Sequence, residues 1–180
     1  MAVTTHKTIA GAAGVEGPDS TGEAVARAVA ALHGAAPGIV FAFPDGRQDP
    51  VRAAAAADEA SAGAPVVGLT SGGEAIAAGK IVNGASAIAF EESVKVGIGV
   101  ATGLGADPAA AGQHAAASAL AALDPGAGHP VLLLFFDTTA SDQSKVIDGA
   151  YAVAGGRIPL AGGASGGERP SHDSRGCNDP

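Results

Sequence analysis

Residues 65–74 read PVVGLTSGGE, and residues 159–168 read PLAGGASGGE. The two stretches are identical at six of ten positions, and the second begins 94 residues after the first (159 against 65). Each runs from apolar residues into a Ser-Gly-Gly-Glu turn, as a strand that ends at a loop would. At the same offset Phe41 corresponds to Phe135, and both lie in apolar runs. The sequence therefore predicts two copies of one α/β unit.

The first half of the chain predicts the order β-α-β-α-β. Asp49 followed by Pro50 is a typical helix start, with a capping side chain and a first-turn proline. Ser20, with Glu23 three residues later, forms a capping box. An all-apolar run such as GIVFAF is typical of a strand that is covered on both faces. The predicted elements are strands at 8–15, 39–43 and 66–69 and helices at 20–32 and 49–60.

The second half repeats that order. Asp107 and Pro108 form a second helix start of the same kind, and Ser141 or Asp142 caps the following helix. The stretch 81–92, between the halves, predicts a strand that pairs back onto 94–100 as a hairpin. The predicted elements of this half are strands at 94–102, 131–136 and 158–161 and helices at 107–123 and 141–153.

The predicted fold class is α/β, with two pseudo-repeated β-α-β-α-β units, mostly parallel strands and a hairpin that links the halves. The units span about 8–80 and 94–168 within one domain of residues 1–168. Residues 169–180 form a polar tail without an apolar run. We expect this tail to be mobile unless a partner chain holds it, because it has too little apolar surface to offset the entropy of ordering.

Composition and charge exclude several classes of partner. The 180 residues carry a formal charge of −8, which disfavours nucleic acid and anionic membrane surfaces as partners. No stretch approaches the ~20 apolar residues of a membrane helix, and the N-terminus lacks the apolar run of a signal peptide. Cys177 is the single cysteine, which suits a reducing compartment. We therefore expect a cytoplasmic protein.

The ordered set of motifs resembles the N-terminal half of the FIST family. The motifs are GIVFAF, VVGLTSGGE, FFD and PLAGGASG, at 38–43, 66–74, 135–137 and 159–166. The resemblance implies a sensory domain of prokaryotic signal transduction that binds a small molecule, such as an amino acid or related metabolite, and acts on a signalling partner protein. Some similar proteins associated with nitric oxide sensing bind haem. The family usually carries a C-terminal companion domain after the second Gly-Gly turn, and we expect these 180 residues to lack it.

The two Ser-Gly-Gly-Glu turns are the predicted ligand site, because ligands of parallel sheets bind at the carboxyl ends of strands. Backbone N–H groups at the glycines would bind an anion, the serines would form hydrogen bonds, and the glutamates would take a ligand ammonium group. The alternative is that the glycines only permit positive φ in tight turns. Asp137 lies at a third strand end. The candidate ligand-binding residues are Ser71, Gly72, Gly73, Glu74, Asp137, Ser165, Gly166, Gly167 and Glu168.

Three other classes of function were weighed against this one. The run from Gly163 to Gly167 fits the G-x-S-x-G pattern of hydrolases, but the polar sequence after Ser165 does not predict the required helix, so we expect no catalysis. No histidine spacing indicates a metal site, and we expect no cofactor; haem held by His114 is the alternative. A structural or assembly module, forming a homo-oligomer, is the third class.

Overall fold

The computed structural model describes residues 10–17, 19–72, 74–77, 80–124, 126, 128–137 and 142–165. The tail lies outside these residues. The helices are α1 (Thr21–Ala30), α2 (Pro50–Ala60), α3 (Pro108–Ala122) and α4 (Gln143–Ala154). The strands are β1 (Ala10–Glu16), β2 (Pro37–Phe43), β3 (Val66–Gly68), β4 (Glu74–Ala77), β5 (Lys80–Glu91), β6 (Leu132–Phe136) and β7 (Leu160–Ala164).

Three aspartates cap helices, as the sequence predicted. The Asp49 carboxylate accepts hydrogen bonds from the backbone N–H groups of Val51 and Arg52. Asp107 and Asp142 accept equivalent bonds in the first turns of α3 and α4. These side chains satisfy N–H groups that have no partner within the helix, which is why a short local pattern is enough to fix the helix start.

The predicted capping box at Ser20 is wrong. The Ser20 hydroxyl makes no capping bond; it donates to the Gly17 carbonyl at 2.9 Å and accepts from the backbone N–H of Ala85, also at 2.9 Å. Glu23 instead forms an ion pair with Arg27 along the exposed face of α1. The hydroxyl therefore joins the start of α1 to β5 rather than closing the helix end.

The first sheet is mixed, with the strand order β1-β5-β2-β3 and β4 paired to β5. β5 is antiparallel to β1, β2 and β4, and only β2 and β3 are parallel. The predicted hairpin between 81–92 and 94–100 is therefore wrong, as are mostly parallel strands in this sheet. The physical reason is that β5 forms backbone hydrogen bonds along both of its edges when it lies in the middle of the sheet.

The second sheet consists of β6 and β7, which are parallel, with Leu132 opposite Leu160 and Phe136 opposite Ala164. The predicted strand at 94–102 is not formed. The order of elements in the first half, α1-β2-α2-β3, matches the order in the second half, α3-β6-α4-β7. Superposition of the two complete halves, with Ser71 over Ser165, stays a prediction.

The molecule has four layers, in the order helices, sheet, sheet, helices. Val40 and Ala42 of β2 pack in a buried cluster with α1, so the intervening Phe41 faces the other way. Leu132 and Leu134 of β6 pack in a second cluster with α3 and α4. Phe135 faces away from that cluster and meets Phe41, with ring centroids 5.9 Å apart. The two sheets therefore face each other through phenylalanine side chains.

Candidate functional site

Ser71 lies just beyond β3 and is held against the residues that follow β2. Its backbone N–H donates to the Pro44 carbonyl at 2.8 Å, and its own carbonyl accepts from the N–H of Gly46 at 2.9 Å. Its hydroxyl donates to the Pro44 carbonyl at 3.2 Å. These bonds place Ser71 beside Asp45 in a parallel bridge.

Ser165 occupies a similar position beyond β7. Its backbone N–H donates to the Phe136 carbonyl at 2.9 Å, and its hydroxyl lies 3.4 Å from the Asp137 carboxylate. Each serine therefore lies beside an aspartate that follows the neighbouring strand. Sequence reasoning found Asp137 but missed Asp45. The signal was present, because FPD at 43–45 and FFD at 135–137 both place an aspartate within two residues of the end of an apolar strand.

Aromatic contacts bring the two strand ends together. The ring centroids of Phe43 and Phe135 are 6.2 Å apart in an edge-to-face arrangement. Phe43 precedes Asp45 by two residues, and Phe135 precedes Asp137 by two residues. The carboxyl ends of β2 and β6 are therefore neighbours. The pair Asp45–Ser71 lies at the end of β2, and the pair Asp137–Ser165 lies at the end of β6. We call these two pairs the strand-end site.

A cavity of about 1280 Å³ lies between the two sheets and beside α3. Its wall is mainly apolar and includes Phe41, Phe90 and Leu133. Asp137 lines the cavity together with Lys95, Ser93 and His129, whereas Ser71, Gly72 and Ser165 are not part of the wall. The shared pocket proposed from sequence for Ser71, Gly72, Ser165, Gly166 and Asp137 therefore stays a prediction for the complete group.

Gly72 is the predicted glycine that the structure describes. Its backbone is not in the positive-φ region, and a Cβ added there would meet no atom of the described residues within 4 Å. Turn geometry therefore does not explain a glycine at this position. Gly73, Gly166, Gly167 and Glu168, and the side chain of Glu74, lie outside the described part.

Asp45 is a buried anion with a fixed partner. Its side chain is 4% exposed and accepts hydrogen bonds from the Arg47 guanidinium and from the Arg47 backbone N–H. These bonds hold the pKa of the Asp45 carboxyl below its usual value. The Arg47 side chain is 66% exposed, so its guanidinium extends from the buried Asp45 carboxylate to the surface. Asp137, by contrast, is exposed.

A buried polar network fixes the loop that carries Asp45. Thr21 donates its hydroxyl proton to the Gln48 amide oxygen at 2.5 Å, and the Gln48 amide nitrogen lies 3.4 Å from the Ser20 hydroxyl. All three side chains are buried. Since buried polar groups are costly when unpaired, this network holds the β2–α2 loop against α1 and β5.

Two of the histidines bear on the haem alternative. His114 is exposed on α3 and is not part of the cavity wall, whereas His129 lines the cavity. Within the described ranges, no group of three histidine, cysteine, aspartate or glutamate side chains could hold a metal ion. No helix in the part of the chain described is long and apolar enough to cross a membrane.

These features define an α/β domain in which two Asp–Ser pairs follow the ends of strands. The family model described as FIST N domain matches residues 36–179, nearly the whole chain. The chain therefore belongs to the FIST N domain family, whose members are signalling or sensory domains and generally non-catalytic. No curated protein and no solved structure matches the chain.

Proposed function

We propose that this domain senses a small zwitterionic metabolite, an amino acid or a close relative, bound at the strand-end site. The observation that supports this most is the edge-to-face contact of Phe43 and Phe135, because it makes the ends of β2 and β6 neighbours. Each of these ends carries an aspartate beside a serine. Family membership supplies the sensory role.

The charges of the site suit a ligand that carries both signs. The exposed carboxylate of Asp137 takes the ammonium group of the ligand, and the Ser165 hydroxyl beside it adds a hydrogen bond. The exposed Arg47 guanidinium, anchored by the buried Asp45, takes the ligand carboxylate. Gly72, next to Ser71, is exposed, and among the described residues an added Cβ there would meet no atom within 4 Å.

A ligand screen tests the proposal. Isothermal titration with the twenty amino acids and their simple derivatives should find a ligand that binds with 1:1 stoichiometry. Asp137→Asn removes one charged hydrogen bond, worth about 1.5–3 kcal/mol, so affinity should fall by roughly 10- to 150-fold. Asp148→Asn changes another exposed aspartate, on α4, and serves as the matched control because it should leave affinity unchanged.

Two results would count against the strand-end site. The first is a screen in which no zwitterion binds at millimolar concentration. The second is an equal loss of affinity in Asp137→Asn and Asp148→Asn, which would mean that net charge and not the site controls binding. Ser165→Ala should lower affinity less than Asp137→Asn, by about one neutral hydrogen bond or roughly 0.5–1.5 kcal/mol.

Haem binding is the second candidate, because His129 lies in the wall of an apolar cavity. The relevant histidine is then His129 and not His114, which is exposed on α3. Titration of the purified protein with haem, followed by visible absorption, tests this. A Soret shift that is lost in His129→Ala and kept in His114→Ala would favour haem. Identical spectra for both variants would exclude His129 as a ligand.

A further inference from the structure

The five phenylalanines of the chain gather around the cavity between the two sheets. Four of them line its wall, namely Phe41, Phe90, Phe135 and Phe136. The fifth, Phe43, contacts the ring of Phe135. All five are half-buried, whereas the buried residues of the two core clusters are alanine, valine and leucine. The aromatic side chains are therefore concentrated at this cavity and not in the buried cores.

Edge-to-face contacts connect these rings across the two sheets. The ring centroids of Phe41 and Phe90 are 6.1 Å apart within the first sheet, and those of Phe41 and Phe135 are 5.9 Å apart between the sheets. Aromatic rings attract one another in such arrangements at centroid separations of about 4.5–7 Å, because the positive edge of one ring meets the negative face of the next. The half-buried rings around the cavity therefore form a surface that suits one more aromatic ring.

A carboxylate follows the aromatic surface at the end of β6. Leu133, Phe135 and Asp137 are alternate residues, and all three line the cavity. Alternate residues of an extended chain lie on the same face, and two residues span about 6.6 Å. The cavity wall therefore changes from apolar to anionic over a distance that one amino acid can bridge.

The charges of the described wall differ between the two ends of the cavity. Asp137 is exposed at the carboxyl end of β6, whereas His129 precedes the start of this strand. Lys95 follows Glu91, which pairs with Pro37 at the start of β2. The basic residues therefore lie toward the amino ends of β2 and β6, and the negative charge lies beside the strand-end site. At that end the wall favours a ligand ammonium group over a carboxylate.

We propose that the ligand of the strand-end site is an amino acid with an aromatic side chain. Its ring enters the cavity beside Phe135 and Phe41, while its ammonium group binds the carboxylate of Asp137. This inference rests on the proposed function and adds the class of side chain, which the strand-end site alone does not specify. The cavity, at about 1280 Å³, is larger than one amino acid, so the ring takes only the end next to Asp137.

Free tryptophan is both ligand and probe, because the chain contains no tryptophan of its own. Protein is titrated into free tryptophan, which is excited at wavelengths that tyrosine does not absorb. The emission should shift to the blue and saturate, since the indole ring leaves water for an apolar wall. Phenylalanine should displace the tryptophan at a concentration at least about tenfold lower than alanine requires, because its larger side chain buries more apolar surface.

Variants of the cavity wall test where the ring binds. Phe135→Ala should reduce the preference for phenylalanine over alanine by at least about threefold. Tyr151→Ala removes an aromatic side chain that is exposed on α4, outside the cavity wall, and as the matched control should leave the preference unchanged. The ratio of the two Kd values is compared because a partly unfolded sample changes both alike. Phe41→Leu keeps an apolar side chain of similar size and should shift the ratio in the same direction if Phe135→Ala folds poorly.

Two analogues test the ammonium contact. Phenethylamine keeps the ring and the ammonium group, whereas 3-phenylpropionate keeps the ring and a carboxylate. Asp137→Asn should weaken phenethylamine at least about tenfold and leave 3-phenylpropionate unchanged. An equal loss for both analogues contradicts the proposed pairing of ammonium and Asp137.

The outcomes separate this inference from the proposed function. Equal affinities for alanine and phenylalanine would overturn the aromatic specificity and leave the strand-end site in place. The same holds if tryptophan binds without a blue shift, because its ring then lies outside the cavity, or if Phe135→Ala keeps the full preference. No binding by any amino acid at millimolar concentration would overturn both proposals.

Discussion

Replacing Gly97 by alanine tests how closely the segment 95–101 packs on α3. The added Cβ would lie 2.1 Å from the Ala119 carbonyl oxygen and 2.7 Å from the backbone nitrogen of Leu123. Normal contact is about 3.5 Å, so the segment must move away from the helix by roughly 1.4 Å. Overpacking of this kind costs about 1–3 kcal/mol, a sizeable share of the ~5–15 kcal/mol that holds a typical domain folded.

Equilibrium urea unfolding measures this loss as a lower midpoint with an unchanged slope. Gly163→Ala is the matched control, because Gly163 lies in β7 without a positive φ and an added Cβ there would meet no atom within 4 Å. We expect the control to change the free energy of unfolding by no more than about 0.5 kcal/mol. Equal midpoints for the two variants would refute the close packing of this segment on α3.

Three further predictions concern the strand-end site and its support. Thr21→Val leaves the Gln48 amide oxygen buried without its donor, so urea unfolding should show a loss of about 1–3 kcal/mol. Arg47 lowers the pKa of Asp45 in the folded state, so the stabilisation that the Asp45 carboxylate contributes is complete above its ordinary pKa of about 3.9 and is lost as pH falls through the lower folded value. Asp45→Asn should therefore make the free energy of unfolding less dependent on pH across that acid range. Gly72→Val should leave the melting temperature unchanged and weaken zwitterion binding, and an unchanged affinity would contradict it.

Local signals in the sequence predicted the helices well. The aspartates at 49, 107 and 142 cap helices in the structure as they were expected to, because a capping bond involves only the next two or three residues. The apolar runs that became β2 and β6 were also found, since an apolar stretch of strand length is typical of a strand that packs in a core. The ordered motifs were enough to indicate the family, which the match over residues 36–179 confirms.

The partners of the strands could not be predicted from local patterns. The stretch 81–92 was assigned to a hairpin with the next residues, but it joins β1 and β2 instead. The position of a strand in a sheet depends on backbone hydrogen bonds along both of its edges and on the packing of its small residues against a helix. For β5 the paired residues of β1 lie up to eighty residues away in the chain. For the same reason Ser20 has the sequence context of a capping residue, but its hydroxyl accepts a hydrogen bond from the backbone N–H of Ala85.

The sequence by itself determined which residues end strands and which begin helices, and hence that Ser71, Asp137 and Ser165 lie at strand ends. Only the tertiary structure decided that Asp45 pairs with Ser71, that Phe43 contacts Phe135, and that β6 pairs with β7 rather than with the first sheet. The physical reason is the sequence separation over which each interaction acts. Caps and alternation act over a few residues, whereas strand order and the contact of two sheets are settled by burial and hydrogen bonding between distant parts of the chain.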